Sequence, residues 1–184
     1  RVYVNSLMIK SQLRRYYSIQ QEGEFKHYPF DVTNDGLIDL SNKVLVLGPP
    51  QSGKTSFIKS VSDRALMTHE LSKDFSIDYG VKSDLQFYGS SGSNNHELID
   101  LLSDEVGNAV VVIDSSQPGT FPEARQLINH LIIKGFKVTV NANNFTGKGL
   151  SLNEFKSKLR LKNDVRVIES INDSDKLEVI KSLR

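Results

Sequence analysis

The stretch Gly48-Pro49-Pro50-Gln51-Ser52-Gly53-Lys54-Thr55 decides how this chain is read. It matches the pattern G-x-x-x-x-G-K-[ST] and follows the apolar run Lys43-Val44-Leu45-Val46-Leu47. It leads into Phe57, Ile58 and Val61, whose spacing suits one buried helix face. A strand, a glycine-bounded loop and a helix in that order make a phosphate-binding loop. Gly48 and Gly53 adopt backbone conformations that other residues resist, so successive N–H groups turn inward at the positive end of the helix dipole. Residues Gly48, Pro49, Pro50, Gln51, Ser52, Gly53, Lys54, Thr55 and Ser56 then form the anion cradle, with Lys54 against the β- and γ-phosphates and the Thr55 hydroxyl on Mg²⁺. The other reading of these residues is a plain turn between a strand and a helix, which Pro49-Pro50 would suit.

Composition narrows the classes. A chain of 184 residues has room for one domain with an ordinary core and an appendage. Its 38% hydrophobic and 24% charged content is that of a globular protein. A net charge of +1 gives no general electrostatic case for nucleic acid or an anionic membrane. The absence of cysteine excludes disulfides, thiolate zinc sites and thiol nucleophiles, and suits a cytoplasmic protein. The longest apolar runs, at residues 109–113 and 131–133, are far too short to span a bilayer as a helix, so no transmembrane segment is expected.

Taken in order, residues 1–42 read as an N-terminal β-rich hairpin extension, with short β-like pieces around Val2, Val4, Leu7, Tyr16 and Tyr17 and turn signals at Gly23, Pro29 and Asn34-Asp35-Gly36. Arg14, Arg15, Tyr16 and Tyr17 read either as an exposed strand face or as a basic-aromatic patch. Beyond the loop, residues 63–76 read as polar and irregular, in the position of a nucleotide-sensing segment. Ile77-Asp78-Tyr79-Gly80 and Leu85-Gln86-Phe87-Tyr88 read as a strand pair. Gly89-Ser90-Ser91-Gly92-Ser93-Asn94 reads as a flexible loop, with Asn95 capping a helix over 96–103. Ala109-Val110-Val111-Val112-Ile113 has the continuous apolar character of a strand covered on both faces. Thr120-Phe121-Pro122-Glu123 and Ser151-Leu152-Asn153-Glu154 both have capping-box spacing, and Gly135 stops the first of these helices. Strands at 136–140 and 165–168 and a closing helix with Leu177, Ile180 and Leu183 complete the alternation. The expected fold is a doubly wound α/β P-loop NTPase domain over 43–184 with a mostly parallel sheet, and its ligand lies beyond the carboxyl ends of the strands.

Residues 43–184 resemble the small Ras-like GTPases, and within them the prokaryotic MglA-like group. The resemblance rests on Asp78-Tyr79-Gly80, on residues 85–93, on Ile113-Asp114-Ser115-Ser116-Gln117-Pro118-Gly119-Thr120-Phe121-Pro122-Glu123-Ala124-Arg125, and on Val140-Asn141-Ala142-Asn143-Asn144. It implies GTP and GDP as ligands, Mg²⁺ bridging Thr55 and the phosphates, and a switch with slow intrinsic GTP hydrolysis. Its regulatory partner would be of roadblock or GTPase-activating type, alongside a second copy in a homodimer and no nucleic acid. Gly92 and Ser93 stand at the catalytic loop, Asn141 and Asn144 at the base-reading loop, and Ser170 and Ile171 at the last base-contacting loop.

Three positions depart from the family pattern. Gly89 stands where most GTPases have an Asp that holds Mg²⁺, although the MglA-like group tends to have Gly there. Ser93 stands where a Gln orients water, and its hydroxyl is too short for that task. The base-reading NKxD loop reads Asn141-Ala142-Asn143-Asn144, with an alternative alignment that puts Asn143-Asn144 in the Asn-Lys places and Thr146 at the Asp. Two other classes stay open: a non-hydrolysing nucleotide-bound module, and a P-loop ATPase relying on Asp114. Asp114 reads equally as a cap on the following turn, and Asp78 as a structural hydrogen-bond acceptor. His27, His69, His96 and His130 lack metal-ligand spacing, and Lys148 reads as a loop residue.

Overall fold

Side chains alternate across a strand, so the five residues Lys43–Leu47 can serve two cores at once. Val44 and Val46 pack to one side and Leu45 and Leu47 to the other, and all four are buried. The computed structural model describes residues 31–32, 38–39, 43–83, 85–90, 92–102, 107–162 and 164–183. Its strands are β1 (Asp31–Val32), β2 (Ile38–Asp39), β3 (Lys43–Leu47), β4 (Met67–Ser72), β5 (Phe75–Lys82), β6 (Leu85–Ser90), β7 (Asn108–Asp114), β8 (Lys137–Asn143) and β9 (Arg166–Ser170). Its helices are α1 (Lys54–Val61), α2 (Asn95–Leu102), α3 (Phe121–Ile133), α4 (Leu152–Leu159) and α5 (Asp173–Lys181).

Seven strands form one sheet in the order β4-β5-β6-β3-β7-β8-β9. From β6 to β9 every pairing is parallel, whereas β5 and β4 add on in antiparallel fashion at one edge. Phe57, Ile58 and Val61 of α1 pack with Val179 and Ile180 of α5 on the face of Val44 and Val46. Leu98 and Ile99 of α2, Ile128 and Leu131 of α3 and Phe155 of α4 cover the opposite face, over Leu45 and Leu47. The mostly parallel sheet covered on both faces is the doubly wound α/β fold expected, and residues 109–113 are buried throughout, as their apolar run requires.

Five local expectations change. Gly89 and Ser90, expected in a flexible loop, close the strand β6 because they pair with Asp78 and Ile77 of β5. Residues 67–72 form the edge strand β4 rather than an irregular segment, because Met67 and His69 turn inward while Thr68 and Glu70 face out. Asn95 opens α2 but does not cap it; its amide is used elsewhere, as described below. Thr120 makes no side-chain cap either: it lies in helical conformation at the end of a 3₁₀ turn, Pro118–Thr120, and its hydroxyl donates back to the Gln117 carbonyl at 2.8 Å. Leu177 faces outward on α5, and Val179 takes its place inside beside Ile180 and Leu183, which are buried as expected. Of the extension expected over 1–42, the described part is the antiparallel ladder of β1 with β2, separate from the seven-stranded sheet. The readings at Arg14 to Tyr17, at His27 and at residues 34–36 lie outside the described residues.

Candidate nucleotide site

The loop between β3 and α1 takes its shape from two glycines in places closed to any side chain. Gly48 has φ +152, and a Cβ there would lie 2.1 Å from the Val112 carbonyl oxygen on β7. Gly53 has φ +102, and a Cβ there would lie 2.4 Å from Nδ2 of Asn143. Gln51 also takes a positive φ, of 59, so the chain turns inward between the glycines. The Gly53 carbonyl accepts the first intrahelical bond, from Phe57 N at 2.8 Å, and no side chain caps the helix above it. The leading N–H groups of α1 therefore face the cleft at the positive end of the helix dipole, a ready site for an anion.

The Lys54 ammonium is buried and donates to the Gly48 carbonyl at 2.8 Å and to the Gly92 carbonyl at 2.5 Å, joining the two loops. Burial lowers its pKa to about 8 against an opposing pull from Glu123 and Asp78. Thr55 donates its hydroxyl to Asp78 Oδ2 at 2.5 Å, and Thr68 donates to Asp78 Oδ1 at 2.7 Å. Nearby on β4, His69 is also buried, and desolvation pushes its pKa down while the Asp78 charge raises it. Asn95 brackets Gly48 from the start of α2: its Nδ2 donates to the Gly48 carbonyl at 2.7 Å and its Oδ1 accepts from Gly48 N at 3.1 Å.

An open cleft of about 450 Å³ lies against this loop, walled by Gln51, Gly53, Lys54, Thr55 and Ser56 on one side and by Gly92, Asn143, Phe145 and Lys176 on the other. Pro49 and Pro50 are not part of its wall, and Ser52 is buried beneath it. Of the two asparagines placed at the base-reading loop, Asn141 lies under the sheet end with its Nδ2 on Ser170 Oγ at 2.9 Å and on the Ile168 carbonyl at 3.2 Å. Asn144 braces its own loop by accepting from Gly149 N at 2.8 Å. Asn143, between them in sequence, is the one that reaches the phosphate loop, its Nδ2 donating to the Ser52 carbonyl at 3.1 Å. Ser170 is occupied by Asn141, and half-exposed Ile171 gives its N–H to Asp175.

Ser93 lines an adjoining hollow of about 340 Å³ with Glu70, Lys73 and Phe75, which meets the cleft at Gly92. Asp114 spends its Oδ1 on Ser116 N and Oγ at 2.9 and 2.7 Å, which is the turn-capping reading. Lys148 is an exposed loop residue. Phe145 and Lys176 had no signal in the sequence: an aromatic after an asparagine pair and a helix lysine become cleft residues only once β8 and α5 are in place.

The donors present fit a nucleoside polyphosphate. Beyond the cradle that a Cβ would fill, the buried Ser52 Oγ has no hydrogen-bond partner among the described residues and is a donor left for phosphate, while the equally unpartnered Asn143 Oδ1 is an acceptor. The Thr55 hydroxyl, beside the Asp78 carboxylate, is the hard oxygen donor that would fit Mg²⁺. Among the described residues no group of three or more His, Cys, Asp or Glu can hold a metal by itself, so ligand and water oxygens would complete its shell.

No protein-family profile matches the sequence, and no curated protein is similar to it. Solved structures are. The Arl6 (BBS3) small GTPase of Trypanosoma brucei, with a bound GppNp analogue, aligns with a TM-score of 0.60 at 18% identity, covering 78% of this chain and 95% of that chain. The nucleolar GTP-binding protein 1 of Plasmodium falciparum aligns with a TM-score of 0.54 at 17% identity, covering 79% of this chain and 88% of that one. The chain thus has the P-loop GTPase fold. Among the described residues no helix is long and apolar enough to cross a membrane.

Proposed function

We propose that this chain is a nucleotide-dependent switch that binds GTP and GDP with Mg²⁺ in the cleft between its phosphate loop and the loops after β6 and β8. The observation that carries the reading is the cradle itself: Gly48 and Gly53 at φ +152 and +102, closed to side chains, under the uncapped start of α1. Lys54 holds phosphate charge, Thr55 presents its hydroxyl to the metal, and Asn143 fastens the base-side loop to the Ser52 carbonyl. When bound, Mg²⁺ would neutralise charge between the β- and γ-phosphates. The likeness to the two GTP-related structures and the MglA-like motifs favour a guanine nucleotide. The tether from Lys54 to Gly92 gives the loop after β6 a means of sensing what occupies the phosphate site.

Intrinsic hydrolysis is slow in this reading, because Ser93 sits outside the cleft wall and, among the described residues, that wall carries no carboxylate or imidazole. The same observation favours a second reading, a non-hydrolysing module; in the first, a regulatory partner supplies the missing groups. Identifying the nucleotide released on denaturation by chromatography, then measuring GTP turnover with Lys54→Ala as control, separates them. Bound guanine nucleotide with slow, Lys54-dependent turnover is expected. Absence of GTP binding in the wild type would defeat the proposal, and binding with no turnover above the variant would leave the module.

A further inference from the structure

We propose that Asn95 is the positioning residue of the phosphate loop, its side-chain amide standing in for a strand beside Gly48; this rests on the nucleotide reading above. The parallel ladder of β3 with β6 ends at Val46 opposite Gly89, and that with β7 ends at Leu47 opposite Val111. Gly48 is thus the first residue past both ladders, yet its N–H and its carbonyl are both bonded. In an antiparallel ladder a residue exchanges both bonds with the residue opposite it, and the Asn95 amide gives Gly48 that same pair, at 3.1 and 2.7 Å. A carboxamide offers a donor and an acceptor side by side in one plane, where a carboxylate offers acceptors only.

The rest of the geometry fits. Asn95 is 4% exposed, and Ser90 Oγ, at the end of β6, donates to its Oδ1 at 3.1 Å, so Gly48 N and Ser90 together fix which end of the amide is oxygen. By gripping the N–H and the carbonyl of one residue, the amide fixes the peptide planes on both sides of Gly48, and with them the angle at which the cradle leaves β3. Gly48 cannot hold that angle by itself, since glycine has the widest conformational freedom of any residue. Its carbonyl also accepts from Lys54 at 2.8 Å, so a phosphate chain that draws the ammonium toward itself takes away one bond and leaves the one from Asn95. Asn95 therefore keeps the cradle in shape while Lys54 turns to its ligand. The clamp is mounted on a rigid element, because Asn95 opens α2, whose Leu98 and Ile99 are anchored in the core.

The test measures the affinity of the full chain for inorganic triphosphate and for fluorescent GDP, both with Mg²⁺, at a temperature where circular dichroism shows each protein folded. Both ligands use the cradle, so Asn95→Ala is expected to weaken both by the same factor, about five- to a hundredfold, because it leaves the Gly48 N–H without its partner. No loss, or a loss confined to GDP, overturns the positioning role alone. A wild type that binds neither ligand overturns the positioning role and the nucleotide reading together. Should Asn95→Ala fail to fold, the wild type itself decides: coupling between ligand and clamp is reciprocal, so saturating triphosphate should slow the exchange of the Asn95 side-chain amide protons with solvent, read by NMR. Unchanged exchange sinks the proposal.

Discussion

Lys54 is a largely buried cation at the floor of an open cleft, and two consequences follow from its lowered pKa. In the unfolded chain the group titrates at 10.5 and in the folded protein at about 8, so the cost of burying its charge is present in full below pH 8 and fades as pH rises toward 10.5. Stability attributable to Lys54 therefore rises with pH across that window, by roughly 3 kcal/mol. A bound phosphate reverses the balance, since a polyanion restores the charged form. Nucleotide binding at about pH 9 is thus expected to take up a proton, and binding at pH 7 to take up almost none. Calorimetry in two buffers of different ionisation enthalpy reads this directly; equal heats at pH 9 would contradict it. On the base side, Phe145 presents an exposed ring to the cleft. Stacking of a base on an aromatic is worth about 1–3 kcal/mol, so Phe145→Ala should weaken GDP binding about five- to a hundredfold and leave inorganic triphosphate binding unchanged. Equal losses for both ligands would show that the ring does not meet the base.

At the scale of elements, two identical-looking helix starts behave differently. Ser151 forms a full capping box with Glu154: its hydroxyl accepts from Glu154 N at 3.3 Å, while Glu154 Oε2 accepts from Ser151 N at 3.0 Å. Thr120 has the same spacing to Glu123, but the 3₁₀ turn ahead of it rotates the hydroxyl onto the Gln117 carbonyl. Ser151→Ala should cost about 1 kcal/mol in urea unfolding, and Thr120→Ala less than about 0.5 kcal/mol. A larger loss at Thr120 would mean that its hydroxyl caps after all. The pair shows what a sequence can and cannot convey. The buried run at 109–113 and the loop at 48–55 were legible because burial on both faces and phosphate geometry each demand particular residue types. Thr120, and the edge strand at Met67–Ser72, were hidden because a neighbouring turn and a neighbouring strand decide them. The base side was hardest: Asn141, Asn143 and Asn144 are chemically alike, and only the register of β8 against β9, with Asn141 opposite Ile168 and Asn143 opposite Ser170, sorts them.

The whole molecule registers its ligand through folding, because the cleft exists only when β3, β6 and β8 are paired in one sheet. A ligand that binds the folded chain alone, at about a hundred times its dissociation constant, adds about 2.7 kcal/mol. For a protein of this length each kcal/mol moves the melting temperature by about 2–4 °C, which gives a rise of roughly 5–11 °C with saturating GDP and Mg²⁺. The rise should vanish in Lys54→Ala. Adenine nucleotide should produce a smaller rise than guanine, yet one closer to it than a carboxylate-reading site would allow. Asn144 spends its Oδ1 on Gly149 N, and among the described residues the cleft wall has no acid to pair with the guanine edge, so Asn143 Oδ1 is left as a neutral acceptor. A neutral acceptor in place of a charged one forgoes about 1–3 kcal/mol of discrimination. Scanning calorimetry of the same sample with matched GDP and ADP concentrations measures the difference. An ADP shift of zero beside a full GDP shift would require a carboxylate that this cleft does not present, and would place base recognition on residues outside those described.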